Sequence, residues 1–123
     1  MSKQMLLITP KGEVSLIPHE GYESIRTALE GGYLEGIPLD GKNIIYGDDE
    51  AKLKGLTPNL VATMMWHKFI KTGDILCGNI VVVGILNPKG KQDGEDYDPT
   101  PEIVQIAQEI SGLREPKVWV ESI

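Results

Sequence analysis

The feature that most limits how this chain can fold is an uninterrupted run of four β-branched residues, one isoleucine and three valines, at positions 80–83. β-branched side chains are enriched in strands. A strand with one face in water alternates apolar and polar residues, whereas a strand buried on both faces is apolar throughout. The run therefore predicts a strand buried on both faces, which we place within residues 74–86, with a tight turn or a bulge at Gly78–Asn79 as the alternative to one continuous strand.

Glycine and proline divide the rest of the chain into short segments with strand or helix spacing. Strands are predicted at 5–8, 13–17, 33–39, 42–46 and 117–121, and helices at 22–30, 60–70 and 102–111. Strands outnumber helices, and most neighbouring strands are joined by short turns. The sequence therefore predicts an α+β fold with a mainly antiparallel sheet built from hairpins and about three helices.

Asp40 and Gly41 form the turn signal of the second hairpin. An Asp-Gly pair between two apolar segments is typical of a tight hairpin turn in which both residues adopt positive φ. Pro38 cannot donate a hydrogen bond to a neighbouring strand, because its backbone nitrogen carries no hydrogen. The strand that contains Pro38 is therefore predicted to lie at the edge of the sheet or to bulge there.

The helix predicted over residues 60–70 is apolar on almost every side. Such a helix lies in the core or is covered by a second subunit, and we expect core packing for Trp66. Asn59 and Thr63 lie four residues apart and share one face. We expect Asn59 to cap the helix and Thr63 to pack or bond back to the chain. The alternative is that both line a small polar pocket near residues 33–35.

Composition and charge exclude several classes of protein. Hydrophobic residues make up 41% of the chain, and 18 acidic against 12 basic residues give a net charge of −6. A chain of this kind is not disordered as a whole, and an acidic surface argues against general nucleic-acid binding. The single cysteine, Cys77, argues against a disulfide-stapled secreted fold. No segment has the length of a membrane span or a signal-peptide core. We expect one cytoplasmic domain over residues 1–123.

No arrangement of residues predicts a metal, a cofactor or a catalytic nucleophile. His19, His67 and Cys77 lie in separate segments, whereas zinc needs three or four ligands at fixed spacing. Residues 36–43 have the spacing of a phosphate-binding loop, but the hairpin context and a final asparagine argue against that function. Residues 87–101 are acidic without calcium-loop spacing. We expect an exposed, mobile loop there, or a charge-mimicking surface for a basic partner.

Several short segments in a fixed order resemble one family. They are Gly-Gly-Tyr-Leu-Glu at 31–35, an acidic turn at 47–50, Lys-Leu-Lys-Gly-Leu at 52–56, Asn-Leu-Val-Ala-Thr at 59–63 and Gly-Asp-Ile-Leu-Cys-Gly at 73–78, followed by a valine-rich strand. Over about residues 5–86 the chain is similar to a family of small proteins from bacteriophages, plasmids and Gram-positive bacteria, catalogued as a domain of unknown function. The resemblance brings no catalytic residues. It implies an accessory protein of a phage or mobile element, in the cytoplasm of the host cell.

Three functions fit these features. The first is a non-enzymatic accessory protein that binds a host factor or a small-molecule signal, in its most concrete form a counter-defence protein that sequesters a nucleotide. The second is an acidic interaction module, or an oligomeric structural module, without a small-molecule ligand. The third is a hydrolase that uses His67 or the acidic turn 48–50. We expect no cofactor and no membrane or direct nucleic-acid partner, and we expect a homo-oligomer.

Candidate ligand-binding residues for the first function are polar or basic, and they are Tyr33, Glu35, Asn59, Thr63, His67, Lys68 and Lys71. A nucleotide ligand needs cationic or N–H donors for its phosphates. Lys68 and Lys71 are three residues apart on one helix face, although a solvated face explains them equally well. Arg26, Lys52 and Lys54 are further candidates for phosphate binding.

Overall fold

A computed structural model describes residues 3–113. The elements in that part of the chain are β1 (Lys3–Ile8), β2 (Val14–His19), α1 (Tyr22–Ala28), β3 (Leu34–Pro38), β4 (Asn43–Asp48), α2 (Leu60–His67), β5 (Ile80–Gly84) and α3 (Pro101–Leu113). The five strands form one sheet in the order β2-β1-β5-β4-β3, and every neighbouring pair is antiparallel. The predicted α+β fold with an antiparallel sheet and three helices is confirmed.

Strand β5 lies at the centre of the sheet, and all of its residues are buried. Successive side chains of a strand point to opposite faces. Ile80 and Val82 pack on the face that α2 and α3 cover, and Val81 and Val83 pack on the face that α1 covers. The predicted burial on both faces is confirmed, and each such side chain stabilises the fold by about 1.5–3 kcal/mol.

The central strand is shorter than predicted, because residues 74–79 precede it as an irregular segment. Gly78 has a φ of +78°, a left-handed conformation that regular strands do not contain. Its carbonyl oxygen accepts a hydrogen bond from Asn59 Nδ2 at 2.9 Å instead of bonding a neighbouring strand. Cys77 therefore lies outside β5, in an isolated bridge with Pro58. The cysteine is buried.

The second predicted hairpin forms between β3 and β4, but its turn differs from the prediction. Residues 39–42 connect the two strands, and of the Asp40–Gly41 pair only the glycine has a positive φ, of +83°. The Oδ1 atom of Asp40 accepts hydrogen bonds from the backbone N–H groups of Lys42 and Asn43, at 3.0 and 2.8 Å. A side-chain hydrogen bond therefore shapes this turn, in place of a second left-handed residue.

The other strand predictions concern the edges of the sheet. Strand β3 lies at one edge, as Pro38 predicts, and the first hairpin forms between β1 and β2. The phosphate-loop spacing at residues 36–43 falls on the β3–β4 hairpin, as expected. The strand predicted over residues 117–121 lies outside the described residues.

Helix α2 ends at His67 rather than at residue 70, and it buries one side instead of its whole surface. Met65 and Trp66 are buried, which confirms core packing for the tryptophan, whereas Leu60 and Met64 are each 48% exposed. Within residues 3–113, no helix has both the length and the apolar character that crossing a membrane requires.

The acidic segment 87–101 is attached to the sheet. Tyr97 forms an isolated antiparallel bridge with Gly84 at the end of β5. The Nε2 atom of His19 lies 2.8 Å from a carboxylate oxygen of Asp96. Much of the segment is exposed, as predicted, and its mobility stays a prediction.

Asn59 connects three parts of the fold and is fully buried. Its Oδ1 accepts a hydrogen bond from the N–H of Ala62 at 3.1 Å, which caps α2. Its Nδ2 donates to the carbonyl oxygens of Ile8 and Gly78, both at 2.9 Å. The hydroxyl of Thr63 donates back to the Asn59 carbonyl at 2.7 Å. The predicted cap and the predicted back-bonding are both confirmed.

Two substitutions at Asn59 separate the cap from the two carbonyl contacts. Asn59→Ala is expected to lower the free energy of unfolding by about 2–4 kcal/mol, because the cap is lost and two buried oxygens lose their donor. Asn59→Asp keeps the capping acceptor but places a carboxylate against those oxygens, so at neutral pH it is expected to destabilise at least as much. Urea denaturation measures both. An Asp variant as stable as the wild type would show that the cap alone matters.

Candidate functional site

A cleft of about 390 Å³ opens between the β3–β4 hairpin and the segments that flank α2. The residues that line it are Glu35, Ile37, Gly47, Asp48, Asp49, Ala51, Lys52, Leu53, Trp66, Asp74, Ile75, Leu76, Cys77 and Ile80. Four of these side chains are carboxylates and one is an ammonium group. We call this site the acidic cleft.

Asp48 is a buried carboxylate in the wall of the acidic cleft, with 4% of its side chain exposed. Its Oδ2 lies 2.6 Å from Lys54 Nζ, and its Oδ1 accepts a hydrogen bond from the N–H of Glu50 at 2.9 Å. Burial by itself raises the pKa of Asp48, but Lys54 and the N–H groups of Glu50 and Tyr33 outweigh it and lower the pKa below its usual value. Asp48 is therefore ionised and holds the turn after β4 in place.

The Asp48 carboxylate also requires a glycine at position 32. Gly32 has a φ of +95°, and a Cβ atom built there would overlap the carboxylate oxygens. Only glycine adopts that backbone conformation at little cost while leaving the space free. The Gly-Gly-Tyr segment therefore fits closely against the acidic turn.

Lys52 and Asp74 form an ion pair that joins the turn after β4 to the segment before β5. The Lys52 ammonium lowers the pKa of Asp74, and the Asp74 carboxylate raises the pKa of Lys52. Both side chains are more than half exposed, so solvent screens the attraction. The other two carboxylates of the cleft, Glu35 and Asp49, take part in no ion pair among residues 3–113.

Trp66, which lines the acidic cleft, carries a hydrogen-bond donor that has no partner. The residue is 8% exposed, and its indole Nε1 is the only buried side-chain polar atom of the described residues without a hydrogen-bond partner. An unsatisfied buried donor costs about 1–3 kcal/mol, and most such groups in native proteins are bonded. Trp66 is also one of the residues that line the acidic cleft, so this donor belongs to a residue of the candidate site.

A larger cleft of about 660 Å³ shares Asp48 with the acidic cleft and is lined also by Lys54, Leu56 and Asn79. Asn79 Nδ2 donates to the carbonyl oxygen of Ala28 at 2.9 Å, so this amide is already satisfied. The lining of the larger cleft includes no unpartnered buried side-chain atom of the described residues. The acidic cleft is therefore the better candidate.

Residues of four short segments meet at the acidic cleft. Segments 31–35, 47–50, 52–56 and 73–78 each contribute at least one residue to its lining. A further segment begins with Asn59, whose bonds fix the position of α2. Residues that are far apart in the sequence thus form one surface.

The structure separates the polar residues that the sequence predicts for ligand binding. Asn59 and Thr63 are both buried, and their side chains form hydrogen bonds within the protein. Neither residue lines the cleft. Glu35 lines the cleft. Tyr33 is 70% exposed, and its carbonyl oxygen accepts a hydrogen bond from the N–H of Asp49, which does line the cleft.

The predicted basic residues do not converge on one site. Lys68 and Lys71 are exposed and do not line the cleft. Lys52 and Lys54 are each paired with a carboxylate. The Nε of Arg26 donates to a backbone carbonyl at 3.3 Å.

The residues suggested for a hydrolase do not form a nucleophile–base pair. His67 is exposed, and its Nε2 lies 2.8 Å from the backbone carbonyl oxygen of Asp74. In the acidic turn, Asp48 is held by Lys54. A nucleophile and its base have to lie within hydrogen-bond reach of each other. Within the described part of the chain, no group of three or more His, Cys, Asp or Glu residues could hold a metal ion.

Sequence reasoning missed Asp74, Leu53 and Ile75 as residues of a site, and for Trp66 it favoured core packing over a protein interface. The packing assignment is correct but incomplete, since the indole N–H is left without an acceptor. Periodicity shows which side chains are buried, and it carries no information on whether a buried N–H finds a partner.

The fold and the cleft define a small α+β protein in which an antiparallel sheet supports an acidic, partly apolar cleft. Residues 2–111 match the family described as Domain of unknown function (DUF3846), and the chain belongs to that family. The expected membership of a domain-of-unknown-function family is thereby confirmed. No curated protein and no solved structure matches the chain.

Asp48 is expected to make stability depend on pH. Asp48→Asn should lower the free energy of unfolding by about 1.5–3 kcal/mol near neutral pH, because hydrogen bonds to a charged group are lost. The folded-state pKa of Asp48 is lowered, so its stabilisation is present above the unfolded value of about 3.9 and is lost as the pH falls through the folded-state pKa. The difference between wild type and variant should therefore narrow in acid, as measured by urea denaturation across pH.

Asp49→Asn is the matched control, because Asp49 is adjacent, exposed and in no ion pair among the described residues. It is expected to change the stability little at any pH. If Asp48→Asn lowered the free energy of unfolding by the same amount in acid as at neutral pH, the assigned role of the Asp48 charge would be contradicted.

Proposed function

We propose that the chain is a non-catalytic binding module whose ligand enters the acidic cleft and accepts a hydrogen bond from Trp66. The observation that carries the proposal is the unpartnered indole N–H of a residue that lines the cleft. A donor left in this state costs about 1–3 kcal/mol, and a ligand that brings an acceptor removes that cost. The proposal is therefore a site that becomes fully hydrogen-bonded only when it is occupied.

The charge of the cleft favours a cationic ligand. Glu35 and Asp49 have no ion-pair partner among residues 3–113, so an incoming cation can pair with them. Leu53 is 86% exposed and Ile75 is 41% exposed, and both line the same cleft. Apolar side chains beside carboxylates suit a positive group carried on an aliphatic stem. The stem packs against the apolar side chains, and the positive group pairs with the carboxylates.

A nucleotide ligand gains no support from this arrangement. Phosphate groups are bound by cationic side chains or N–H groups that are free to donate. Lys52 and Lys54 already pair with carboxylates, and Lys68 and Lys71 do not line the cleft. The nucleotide-sequestering form of the function is therefore the less favoured alternative, and the test below includes it.

The resemblance described above supports a biological setting for the module. We propose that the chain is an accessory protein of a phage or mobile element that acts in the host cytoplasm. Its ligand is then a host factor, and counter-defence is the most concrete role. The acidic cleft suits a basic surface of such a factor rather than a nucleic acid.

Assembly into a homo-oligomer is a second candidate function, favoured by the exposed side of α2 and the turn that follows it. Leu60 and Met64 are each 48% exposed, and Phe69 is 42% exposed. Leu60 and Met64 are four residues apart and share one helix face, and exposed apolar residues on one face are typical of protein interfaces. Sedimentation that shows a monodisperse monomer at micromolar concentration would count against this function.

Binding to the acidic cleft can be followed at the indole N–H of Trp66 by ¹H–¹⁵N NMR. The chain has two tryptophans, so Trp119→Phe leaves one indole signal. The probe is N-acetyl-arginine methylamide, which combines a guanidinium, an aliphatic stem and carbonyl acceptors. A saturable downfield shift is expected. Glu35→Gln should weaken binding by about two- to fivefold, whereas Glu23→Gln on α1 should leave it unchanged.

The same titration with N-acetyl-glutamate methylamide and with ADP-ribose tests the alternatives. Neither should shift the Trp66 signal, because the cleft repels anions. Saturable binding of ADP-ribose would instead support the function of nucleotide sequestration. An indole signal that does not respond to the arginine probe would remove the proposed site.

A further inference from the structure

We infer that the ligand of the acidic cleft is an extended, basic segment of a partner protein, which adds a strand to the free edge of β3 and places a lysine or arginine side chain in the cleft. This inference rests on the function proposed above. It adds the class of partner and the way in which that partner is held.

The hydrogen-bond pattern shows which backbone groups of β3 are free. Leu34 lies opposite Asp48 in the antiparallel register, and the N–H of Asp49 donates to the carbonyl oxygen of Tyr33 at 2.8 Å. Hydrogen-bonded and non-hydrogen-bonded pairs alternate along an antiparallel ladder. The bond between Asp49 and Tyr33 makes these two residues a hydrogen-bonded pair, so the next pair, Leu34 and Asp48, is a non-hydrogen-bonded one. Leu34, Gly36 and Pro38 therefore direct their backbone groups away from β4.

This outer edge is open in the described part of the chain. β3 is the last strand of the sheet, and no hydrogen bond among residues 3–113 uses the outward groups of Leu34, Gly36 or Pro38. The edge offers two N–H donors and three carbonyl acceptors, because Pro38 has no N–H. Such an edge is a template for an additional strand.

The edge and the cleft are continuous through two side chains of β3. Glu35 and Ile37 both line the acidic cleft, and they lie on the same face because they are two residues apart. A strand added beside β3 lies about 4.8 Å away. Its alternate side chains then project on the same face as Glu35 and Ile37, over the cleft.

The chemistry of the cleft specifies what those side chains have to carry. A lysine or arginine reaches the unpaired carboxylates of Glu35 and Asp49, with its stem against Leu53 and Ile75. A side chain two residues along the same strand points to the same face, and an amide or hydroxyl oxygen there can accept the hydrogen bond of Trp66. The expected recognition pattern is a basic residue two positions from an amide or hydroxyl residue.

A second copy of the chain is a poorer occupant of this edge. Pairing β3 with β3 of another copy would bring two Glu35-bearing acidic faces together. Like charges on neighbouring strands destabilise the pair, and charged residues at sheet edges commonly prevent such association. A basic partner strand has the opposite and favourable charge.

The test begins with a displayed library of random linear heptapeptides, selected against the full chain and counter-selected against Glu35→Lys. Enriched peptides should contain lysine or arginine two positions from an amide or hydroxyl residue. The strongest of them, made synthetically, should bind the wild type and Glu23→Lys equally, and Glu35→Lys at least about tenfold more weakly.

Backbone methylation of that peptide then tests strand addition without altering the protein. Successive amides of a paired strand point alternately toward and away from its neighbour. Methylating an amide that faces β3 should weaken binding by about tenfold, because a ladder hydrogen bond is lost and the methyl group clashes. Methylating the next amide along, which faces outward, should leave the affinity unchanged.

Several results would overturn the inference. These are selection that enriches no peptide, selection that enriches acidic peptides, affinity that is insensitive to methylation at every amide, or a wild-type dimer that forms through β3. If the arginine probe binds while any of these results is obtained, the acidic cleft remains a binding site and only strand addition fails. If the arginine probe does not bind either, both proposals fail.

Discussion

The amide side chain of Asn59 joins strand β1, helix α2 and the segment before β5 through three buried hydrogen bonds. An amide is suited to this position because it donates and accepts at once. The bonds to Ile8 and Gly78 position the irregular segment that becomes one wall of the acidic cleft. The bond to Ala62 fixes the start of α2, and with it the place of Trp66. The cleft therefore depends on one buried polar residue.

Of the four carboxylates of the acidic cleft, Asp48 and Asp74 take part in ion pairs, whereas Glu35 and Asp49 take part in none among residues 3–113. Asp48 is buried, so it requires Lys54 and backbone donors to remain ionised. Asp74 is exposed and needs no partner, although Lys52 pairs with it. Glu35 has no ion-pair partner in the described part of the chain, and it lies next to the free edge of β3. The cleft thus contains both carboxylates that stabilise the fold and carboxylates that a ligand can pair with.

The elements that depend on local chemistry were predictable. The valine run becomes the central strand, Pro38 lies in an edge strand, and Asn59 caps α2. The errors occur where a side-chain hydrogen bond to the backbone replaces the conformation that residue type favours. Residues 74–79 have the composition of a strand, but side chains of α2 and its cap bind their backbone. The turn at Asp40 uses a side-chain acceptor, which the Asp-Gly pair does not distinguish from a two-residue turn.

By itself the sequence determined the fold class, the buried strand, the helix cap and the membership of a family, because each of these follows from residue type and order along the chain. Only the tertiary structure decided where a ligand can bind. The cleft combines residues from four separate segments, and the indole of Trp66 lacks an acceptor only because of what surrounds it. Whether a buried donor finds an acceptor depends on which groups lie next to it in three dimensions. The order of residues along the chain does not show these neighbours directly.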